Sequence, residues 1–340
     1  MKCKVLLVSI LLILTRTVLL NASGQLVWIV KANMPTKRYG LAAVVLNDKI
    51  YAIGGSSNFI TIPIVEIYDP ATNVWAQGKN MNVSIGDASG AVLNNRIYVF
   101  GGTNVQEYDP LTDSWQTKNN APDNISKAFV MNNKIYGIGS QLYEYNYITD
   151  AWTVRGPAID TTNKSNIAVL NNKAYIMGGG ITFPAYSLSA VEEYDINTNT
   201  WTAITNMLES RRGPSIVSLY DKIYTIGGYY GYGRVSGDGN KNLSSVEKYY
   251  PAINIRVYDS SMPTAREKSA VVIISSSMYV IGGVLNNYGG YPVNAVEMAI
   301  DSEYFPPPAI EKNTVQSEEL HLGPASSIKK KIKELKRKYE

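Results

Sequence analysis

A six-residue pattern recurs along most of this chain and constrains its fold more than any other feature. Each copy joins an apolar–Tyr–x–apolar segment to Gly-Gly or Gly-Ser, and six copies occur within the 340 residues. They occupy residues 50–55, 97–102, 135–140, 174–179, 223–228 and 278–283. The first glycines of successive copies are 38 to 55 residues apart, a spacing typical of repeat architectures. The chain is therefore predicted to be a repeat protein whose units bury their apolar faces against one another.

The residues around each copy predict a four-stranded antiparallel unit. A short dipeptide precedes every copy, and Asn or Asp there tolerates the positive φ of a two-residue hairpin. These turns are Asn47-Asp48, Asn94-Asn95, Asn132-Asn133, Asn171-Asn172, Tyr220-Asp221 and Ser275-Ser276. A third strand carries Glu66/Tyr68, Glu107/Tyr108, Glu144/Tyr145, Glu193/Tyr194 or Glu247/Tyr249. Seven residues after each Tyr, a fourth strand carries Trp75, Trp115, Trp152, Trp201 or, in the fifth unit, Arg256.

The sixth unit lacks its last strand, and the N-terminus supplies it. This unit has Glu297, but Ala299 stands where the other units have Tyr and no Trp follows. Trp28 instead stands near the N-terminus. The N-terminal segment is therefore predicted to be the missing fourth strand of the last unit. We therefore predict an all-β, six-bladed propeller over residues 25–305, closed by its N-terminal strand so that no sheet edge stays open between the first and last blades.

Over residues 25–305 the chain resembles the kelch-repeat family, whose known fold is a β-propeller. The Gly-Gly, the Glu/Tyr pair and the spaced Trp are the marks of that family. Ser140 in place of the second Gly, Arg256 in place of Trp and Ala299 in place of Tyr are departures that affect single blades. The resemblance implies structural roles for the repeated Gly, Tyr and Trp. It also implies a function in recognition, because kelch propellers mostly act by binding.

Composition excludes several kinds of chemistry. Cys3 is the only cysteine and His321 the only histidine, so neither a thiolate or clustered-histidine metal site nor a Ser-His-Asp triad is expected. No metal and no cofactor are predicted. Among enzymes that share the kelch architecture, this excludes a copper oxidase similar to galactose oxidase, which needs histidines and a cysteine-linked tyrosine.

The charge distribution gives no support to nucleic-acid binding. The formal net charge is +4, but residues 1–24 and 309–340 each carry a net +3, which leaves the body at −2. A nucleic-acid interface would need a basic patch on the body itself.

Both ends of the chain are predicted to lie outside the propeller. Lys2 and Lys4 precede an apolar run, and small residues occupy 22–24, an order typical of a secretory signal peptide. Residues 1–24 are therefore expected to be cleaved from a secreted protein, extracellular or periplasmic; the alternative is a membrane anchor formed by an uncleaved N-terminal segment. Residues 306–340 form a Pro-led, Lys-rich tail, which is the only segment of the mature chain expected to contact a membrane.

One face of the ring is predicted to carry a raised sector. The loops after the Gly pairs are short in units two and three but long in units one, four, five and six, which adjoin around the ring. Aromatic side chains there suit sugar or protein recognition, and arginines suit carboxylates. The predicted ligand-binding residues are Arg38, Phe59, Phe183, Tyr186, Arg212, Tyr229, Tyr230, Tyr232, Arg234, Arg266, Tyr288 and Tyr291. The alternative is that the loops fold over themselves and the arginines form structural ion pairs.

The sequence thus predicts a monomeric recognition module for a protein or glycan, without enzymatic activity. The alternative is a metal-free sugar isomerase, similar to the kelch-type sialic-acid mutarotases, in which a carboxylate acts beside an arginine. Glu209 near Arg211 and Arg212, or Asp238 near Arg234, are its candidate pairs. An intracellular adaptor ranks last, because it conflicts with the N-terminal segment. Convergence of a carboxylate and an arginine at the mouth of the central channel would distinguish the isomerase from the binding module.

Overall fold

The computed structural model describes residues 25–157, 166–182, 185–231, 239–285 and 290–303. Their regular structure is almost entirely β-strand, with one turn of 3-10 helix at Pro251–Ile253. The predicted signal peptide (1–24) and the predicted tail (306–340) lie outside the described residues. Within the described ranges there is no helix long and apolar enough to cross a membrane.

Six four-stranded antiparallel sheets form the blades, and four of the blades carry an additional two-stranded hairpin. The N-terminal strand β1 spans Leu26–Val30. Blade one consists of β2 (Ala42–Leu46), β3 (Lys49–Ile53), the hairpin β4 (Ser56–Ser57) and β5 (Ile60–Thr61), β6 (Val65–Asp69) and β7 (Val74–Gln77). Blade two consists of β8 (Ser89–Leu93), β9 (Arg96–Gly101), β10 (Asn104–Asp109) and β11 (Ser114–Thr117). Blade three consists of β12 (Lys127–Met131), β13 (Lys134–Ile138), β14 (Gln141–Asn146) and β15 (Ala151–Pro157).

The remaining three blades follow in chain order. Blade four consists of β16 (Ile167–Leu170), β17 (Lys173–Met177), the hairpin β18 (Gly180–Thr182) and β19 (Ala185–Ser187), β20 (Val191–Asp195) and β21 (Thr200–Ile204). Blade five consists of β22 (Ser215–Leu219), β23 (Lys222–Ile226), the hairpin β24 (Tyr229–Tyr230) and β25 (Lys241–Asn242), β26 (Val246–Tyr250) and β27 (Ile255–Asp259). Blade six begins with β28 (Ala270–Ile274), β29 (Ser277–Ile281), the hairpin β30 (Val284–Leu285) and β31 (Tyr291–Pro292), and β32 (Val296–Asp301).

The first strands of the blades form a closed inner circle. Strand β2 contacts β8 and β28, β12 contacts β8 and β16, and β22 contacts β16 and β28. Strand β1 completes blade six, because it pairs antiparallel with β32 and places Trp28 opposite Ala299. The predicted six-bladed propeller, closed by its N-terminal strand, is therefore confirmed.

The predicted hairpin turns have the backbone conformation that their residues favour. Both turn residues have positive φ at Asn47-Asp48, with values of 50° and 57°, and at Asn94-Asn95, with values of 51° and 58°. The same holds for the turns at 132–133, 171–172 and 275–276, whereas in blade five only Tyr220 has positive φ. The mirror-image turn matches the twist of the two inner strands of each blade.

The hydrophobic core lies between the blades. Buried apolar side chains form six clusters, and each cluster draws its members from two neighbouring blades. The cluster between blades six and one, for example, includes Met34, Tyr68 and Tyr279. Each blade therefore depends on its neighbours for burial of its faces, as expected for a repeat architecture.

A tyrosine and a turn residue fix the outer strands of five blades. The Tyr68 hydroxyl donates to Asn73 Oδ1 at 2.6 Å, and Asn73 has a φ of 57°. The same bond joins Tyr to the residue five positions later at Tyr108–Asp113, Tyr145–Asp150, Tyr194–Asn199 and Tyr249–Asn254. The repeated Tyr is thus used inside the blade, both for packing and to hold the turn between the third and fourth strands.

Candidate functional site

Four hairpins raise one sector of the propeller face. They are β4–β5, β18–β19, β24–β25 and β30–β31, and each lies between the second and third strands of blade one, four, five or six. In blades two and three, the corresponding strands follow each other with only Gly102-Thr103 or Gly139-Ser140 between them. Because blades four, five, six and one are consecutive around the ring, the hairpins form one continuous sector, which we call the raised sector.

Backbone bonds attach the hairpins to the segments that connect the blades. Antiparallel bridges pair Tyr39 with Ser56, Arg212 with Tyr229, and Glu267 with Val284. Neighbouring hairpins are also joined, since Ser187 N donates to the Gly231 carbonyl at 3.2 Å and Asn242 Nδ2 donates to the Val284 carbonyl at 3.2 Å. These bonds give the described part of the raised sector a defined backbone geometry.

The predicted aromatic residues fall into two groups. Phe59 and Tyr291 project into solvent, with 70% and 78% of their surfaces exposed, and Ile60 beside Phe59 is 69% exposed. In contrast, Tyr229 is buried, while Tyr186 and Tyr230 are half-buried. Phe183, Tyr232, Arg234 and Tyr288 lie outside the described residues.

Arg38 and Arg266 are buried within their blades, which favours a structural role. Arg38 Nη2 lies 2.7 Å from Glu66 Oε2, and Arg266 Nη1 lies 2.8 Å from Glu297 Oε2. All four side chains are almost completely inaccessible to solvent. Burial lowers the pKa of Arg38 to about 10, an effect that Glu66 opposes. Because both side chains are buried and their Nη atoms bond groups inside the blades, we leave both arginines out of the binding surface proposed below.

The register separates the predicted Glu residues into two positions. Glu66, Glu247 and Glu297 face inward, two residues before the Tyr position, where each pairs with a buried arginine. The other three stand one residue before the Tyr, and they pair on the strand surface with basic side chains, as Arg96–Glu107, Lys134–Glu144 and Lys173–Glu193. Successive side chains on a strand point to opposite faces, so a shift of one residue changes the role completely.

The inner-facing pair is absent from blades two and three. The arginine position, four residues after the methionine position, holds Ile85 in blade two and Ile125 in blade three. The glutamate position holds Gln106 and Tyr143 in the same blades. Gln106 replaces ionic with neutral hydrogen bonds, since its Oε1 accepts from Asn82 N at 2.8 Å. In blades two and three both positions have changed, whereas blade four keeps Glu192 but has Thr162 at the arginine position.

The residues two positions after the arginine position surround the central opening, and we call them the inner rim. The described members are Gly40, Asp87, Lys127, Gly213 and Lys268. Backbone bonds link successive blades here, with Ala88 N donating to Gly40 O, Gly40 N to Lys268 O and Lys268 N to Gly213 O, at 2.8 to 2.9 Å. Lys268 Nζ lies 3.6 Å from Asp87 Oδ1. Burial lowers the pKa of Lys127, and Lys268 lowers it further, while Asp87 raises it.

An arginine and a carboxylate converge beside the inner rim. Arg212 Nε lies 3.7 Å from Oε2 of Glu267, and the guanidinium carbon of Arg212 lies 5.1 Å from the centre of the Tyr229 ring. Glu267 is fully buried, and burial raises the pKa of its carboxyl group. The sequence predicted Arg212 as a ligand-binding residue but gave no indication of Glu267, because the residue type at that position is not repeated. Only the ring brings this residue of blade six beside blade five.

The earlier candidate pairs have a different geometry. Glu209 Oε2 lies 3.1 Å from Arg211 Nη2, but Arg211 is fully buried and also bonds Glu247. Its donors are therefore used within blade five. Asp238 and Arg234 lie outside the described residues. Across the described ranges, no three His, Cys, Asp or Glu side chains are grouped so that they could hold a metal ion.

The fold and the repeated Arg–Glu, Tyr–Asx and Gly–Gly arrangements define a propeller of repeated four-stranded blades. Comparison with protein families matches the Kelch motif to residues 37–82, 165–208 and 210–263. The protein is a six-bladed kelch-motif β-propeller. No curated protein matches the chain in sequence. A solved structure titled "Structure of YjhT" matches with a TM-score of 0.66 and 16% identity, covering 80% of this chain and 99% of that chain. At this identity, the likeness concerns the fold alone.

Proposed function

We propose that this protein is a recognition module that binds a protein or glycan through the raised sector. The observation that carries the proposal is the exposure of Phe59, Ile60 and Tyr291 on hairpins of the adjacent blades one and six. Burial of large, solvent-exposed apolar side chains by a partner is favourable, and aromatic anchors dominate many interfaces. A kelch propeller is consistent with a protein-binding module. Secretion, as expected from the N-terminal segment, would place the partner outside the cytoplasm.

The supporting geometry is the combination of apolar tips with a polar centre. The apolar tips are the side chains of Phe59, Ile60 and Tyr291, which stand on hairpins. The inner rim instead carries the charges of Asp87, Lys127 and Lys268. A partner that contacts both would bury the apolar tips and satisfy the polar groups of the rim. The rigid attachment of the hairpins reduces the entropy that binding would cost.

The test compares two pairs of exposed apolar side chains on different faces. Phe59→Ala/Tyr291→Ala removes the tips of the raised sector, while Leu111→Ala/Ile148→Ala removes side chains that are 86% and 78% exposed in the turns between third and fourth strands. Both variants and the parent are applied to a glycan array and to a panel of extracellular proteins. The proposal expects a ligand whose binding is lost in the first variant and retained in the second. Equal loss in both variants, or no loss in the first, would contradict it.

A metal-free sugar isomerase is the second candidate, and the convergence of Arg212 with Glu267 favours it. Anomer exchange needs a group that takes a proton from the anomeric hydroxyl and a group that protonates the ring oxygen. A carboxyl group whose pKa is raised by burial suits such proton transfer. NMR of a freshly dissolved pure anomer, with Glu267→Gln as control, tests this function. Equilibration at the rate seen in buffer alone would exclude it for that sugar.

A further inference from the structure

Glu267 is a buried carboxylate whose side-chain partner among the described residues is Arg212, at ion-pair distance. Its side chain is fully inaccessible, and neither Oε1 nor Oε2 has a hydrogen-bond partner among the described residues. A buried carboxylate that lacks direct hydrogen bonds is costly, and buried polar groups in proteins are almost always bonded. Each such exception needs an explanation, such as local strain, a catalytic role, ordered water or a bound group.

Arg212 is incompletely paired at the same place. Its Nη2 is buried and has no hydrogen-bond partner among the described residues. Arg212 Nε and Glu267 Oε2 are 3.7 Å apart, so they form an ion pair rather than a direct hydrogen bond. Arg212 is 30% exposed whereas Glu267 is not exposed at all, so a ligand would approach Glu267 by way of the guanidinium.

Glycines at two neighbouring positions allow the pair to pack closely against the backbone. The Arg212 side chain passes over Gly180, where an added Cβ would lie 3.1 Å from Arg212 Cδ, and an added Cβ at Gly213 would lie 3.3 Å from Glu267 Oε2. Two glycines therefore line the pair. Besides Arg212, the charged groups that act on Glu267 are Lys268, which lowers its pKa, and Asp87, which raises it.

The charges of the pair select the kind of ligand. An anionic group would be attracted by Arg212 but repelled by Glu267. A cation would be attracted by Glu267 but repelled by Arg212. A neutral hydroxyl group donates one hydrogen bond and accepts others, so a single group can serve both an orphan carboxylate oxygen and an orphan guanidinium nitrogen. The half-buried rings of Tyr186 and Tyr230 lie on hairpins β18–β19 and β24–β25 of the raised sector. Aromatic faces beside polar anchors suit the apolar faces of a sugar ring.

We propose that Arg212 and Glu267 form a subsite for a hydroxyl group of a neutral carbohydrate. This inference rests on the proposed function, since it assigns a ligand class to the raised sector. Glu267 accepts a hydrogen bond from the sugar hydroxyl, and Arg212 Nη2 donates one to the same group. Acidic sugars are disfavoured, because their carboxylates would lie close to Glu267.

The test measures binding of small probes to the propeller by isothermal calorimetry and saturation-transfer NMR. The probes are the methyl glycosides of glucose, galactose and mannose, together with glucuronate and acetamide. The proposal expects at least one glycoside to bind, and glucuronate and acetamide to bind more weakly or not at all. Binding of none of the glycosides would overturn it and would leave ordered water as the occupant. Stronger binding of acetamide, which indicates a primary amide of a protein ligand, would also overturn it.

Glu267→Gln is the decisive variant, and it is expected to fold because Gln keeps the size of Glu and because Arg212, which loses its ion pair, is 30% exposed to solvent. Glycoside binding should weaken by about tenfold, and glucuronate should now bind, because Arg212 remains while the repulsion is gone. Glu144→Gln in blade three is the matched control and should change neither. Unchanged probe selectivity in Glu267→Gln would contradict the subsite. If the glycosides fail but Phe59→Ala/Tyr291→Ala still abolishes binding of another ligand, only this inference fails and the proposed function stands.

Discussion

Arg256 stacks on Tyr249, with its guanidinium carbon 3.9 Å from the centre of the ring. The other complete blades place a Trp on this Tyr, and Trp75, for example, lies 5.0 Å from Tyr68 between ring centres. Trp75 also donates from Nε1 to the Ala32 carbonyl at 2.9 Å, in the segment entering the blade. Arg256 makes the equivalent bond from Nε to the Thr205 carbonyl at 3.2 Å. The arginine thus replaces both the stacking and the hydrogen bond of the missing Trp.

Substituting Arg256 with Trp should stabilise blade five. Arg256 is buried with one Nη2 that has no partner among the described residues, and burial lowers the pKa of its guanidinium. A Trp removes this desolvated charge and retains the donor to Thr205. We expect Arg256→Trp to raise the melting temperature and Arg256→Ala to lower it, at a cost of about 2 to 4 kcal/mol in unfolding free energy. Thermal denaturation of both variants checks this, and destabilisation by Trp as large as that by Ala would contradict it.

The buried Arg38–Glu66 pair should be replaceable by the residues that blade two uses. Arg38→Ile alone leaves the Glu66 carboxylate buried without its cation, which should cost about 3 to 5 kcal/mol. Arg38→Ile combined with Glu66→Gln reproduces the Ile85 and Gln106 of blade two and should recover a large part of that loss. Urea denaturation of the single and double variants gives the coupling energy. A double variant no more stable than Arg38→Ile would refute this equivalence of the blades.

Strand β1 should contribute several kcal/mol by closing the ring. Trp28 donates from Nε1 to the Ser260 carbonyl at 2.9 Å, and Leu26 N donates to Asp259 Oδ1 at 2.6 Å, so β1 is bonded to blade five as well as to β32. Deleting residues 25–35 removes these bonds and opens the propeller. Trp28 is half-buried, so its loss alone should cost less than the ~3 to 5 kcal/mol of a fully buried Trp. The melting temperature should fall markedly, with Trp28→Ala intermediate; an unchanged value would contradict closure by β1.

The propeller should lose stability at alkaline pH. Burial raises the pKa of Tyr68 and of Tyr136 to about 12, whereas an unfolded tyrosine has a pKa near 10. The folded state therefore holds these protons more tightly than the unfolded state. The corresponding stabilisation is complete below about pH 10 and is lost as the pH rises from about 10 to 12. Melting temperatures measured from pH 8 to pH 11.5 should fall above pH 10, and a flat profile would contradict the cause given.

The sequence predicted the repeat well because similar turn residues and strand patterns occur in all six units. Asn47-Asp48, the Tyr68 position and the Gly pairs act through turns and strand alternation, which are properties of neighbouring residues. Trp28 could be assigned to the last blade because the sixth unit was the only one without a fourth strand. The four raised hairpins followed from loop lengths alone.

Positions that depend on a neighbouring blade were harder to predict. In the sequence, Glu107 and Glu66 were both assigned to one Glu/Tyr pair motif. Glu107 is one residue and Glu66 two residues before its Tyr, so their strands present them to opposite faces. Arg38 and Arg266 were expected on the binding face, yet both point into the blades, where the ladder carbonyls and a carboxylate bind their donors.

The sequence by itself determined the architecture, because turn residues, strand periodicity and a fixed repeat length each favour the same four-stranded unit. Only the tertiary structure decided which polar side chains meet. Arg212 and Glu267 are 55 residues apart in the chain, at the same repeat position of successive blades, but the residue type at that position varies and does not indicate a pair. They converge because the ring closes around a narrow centre, where the segments entering successive blades are brought together and side chains from different blades share one buried space.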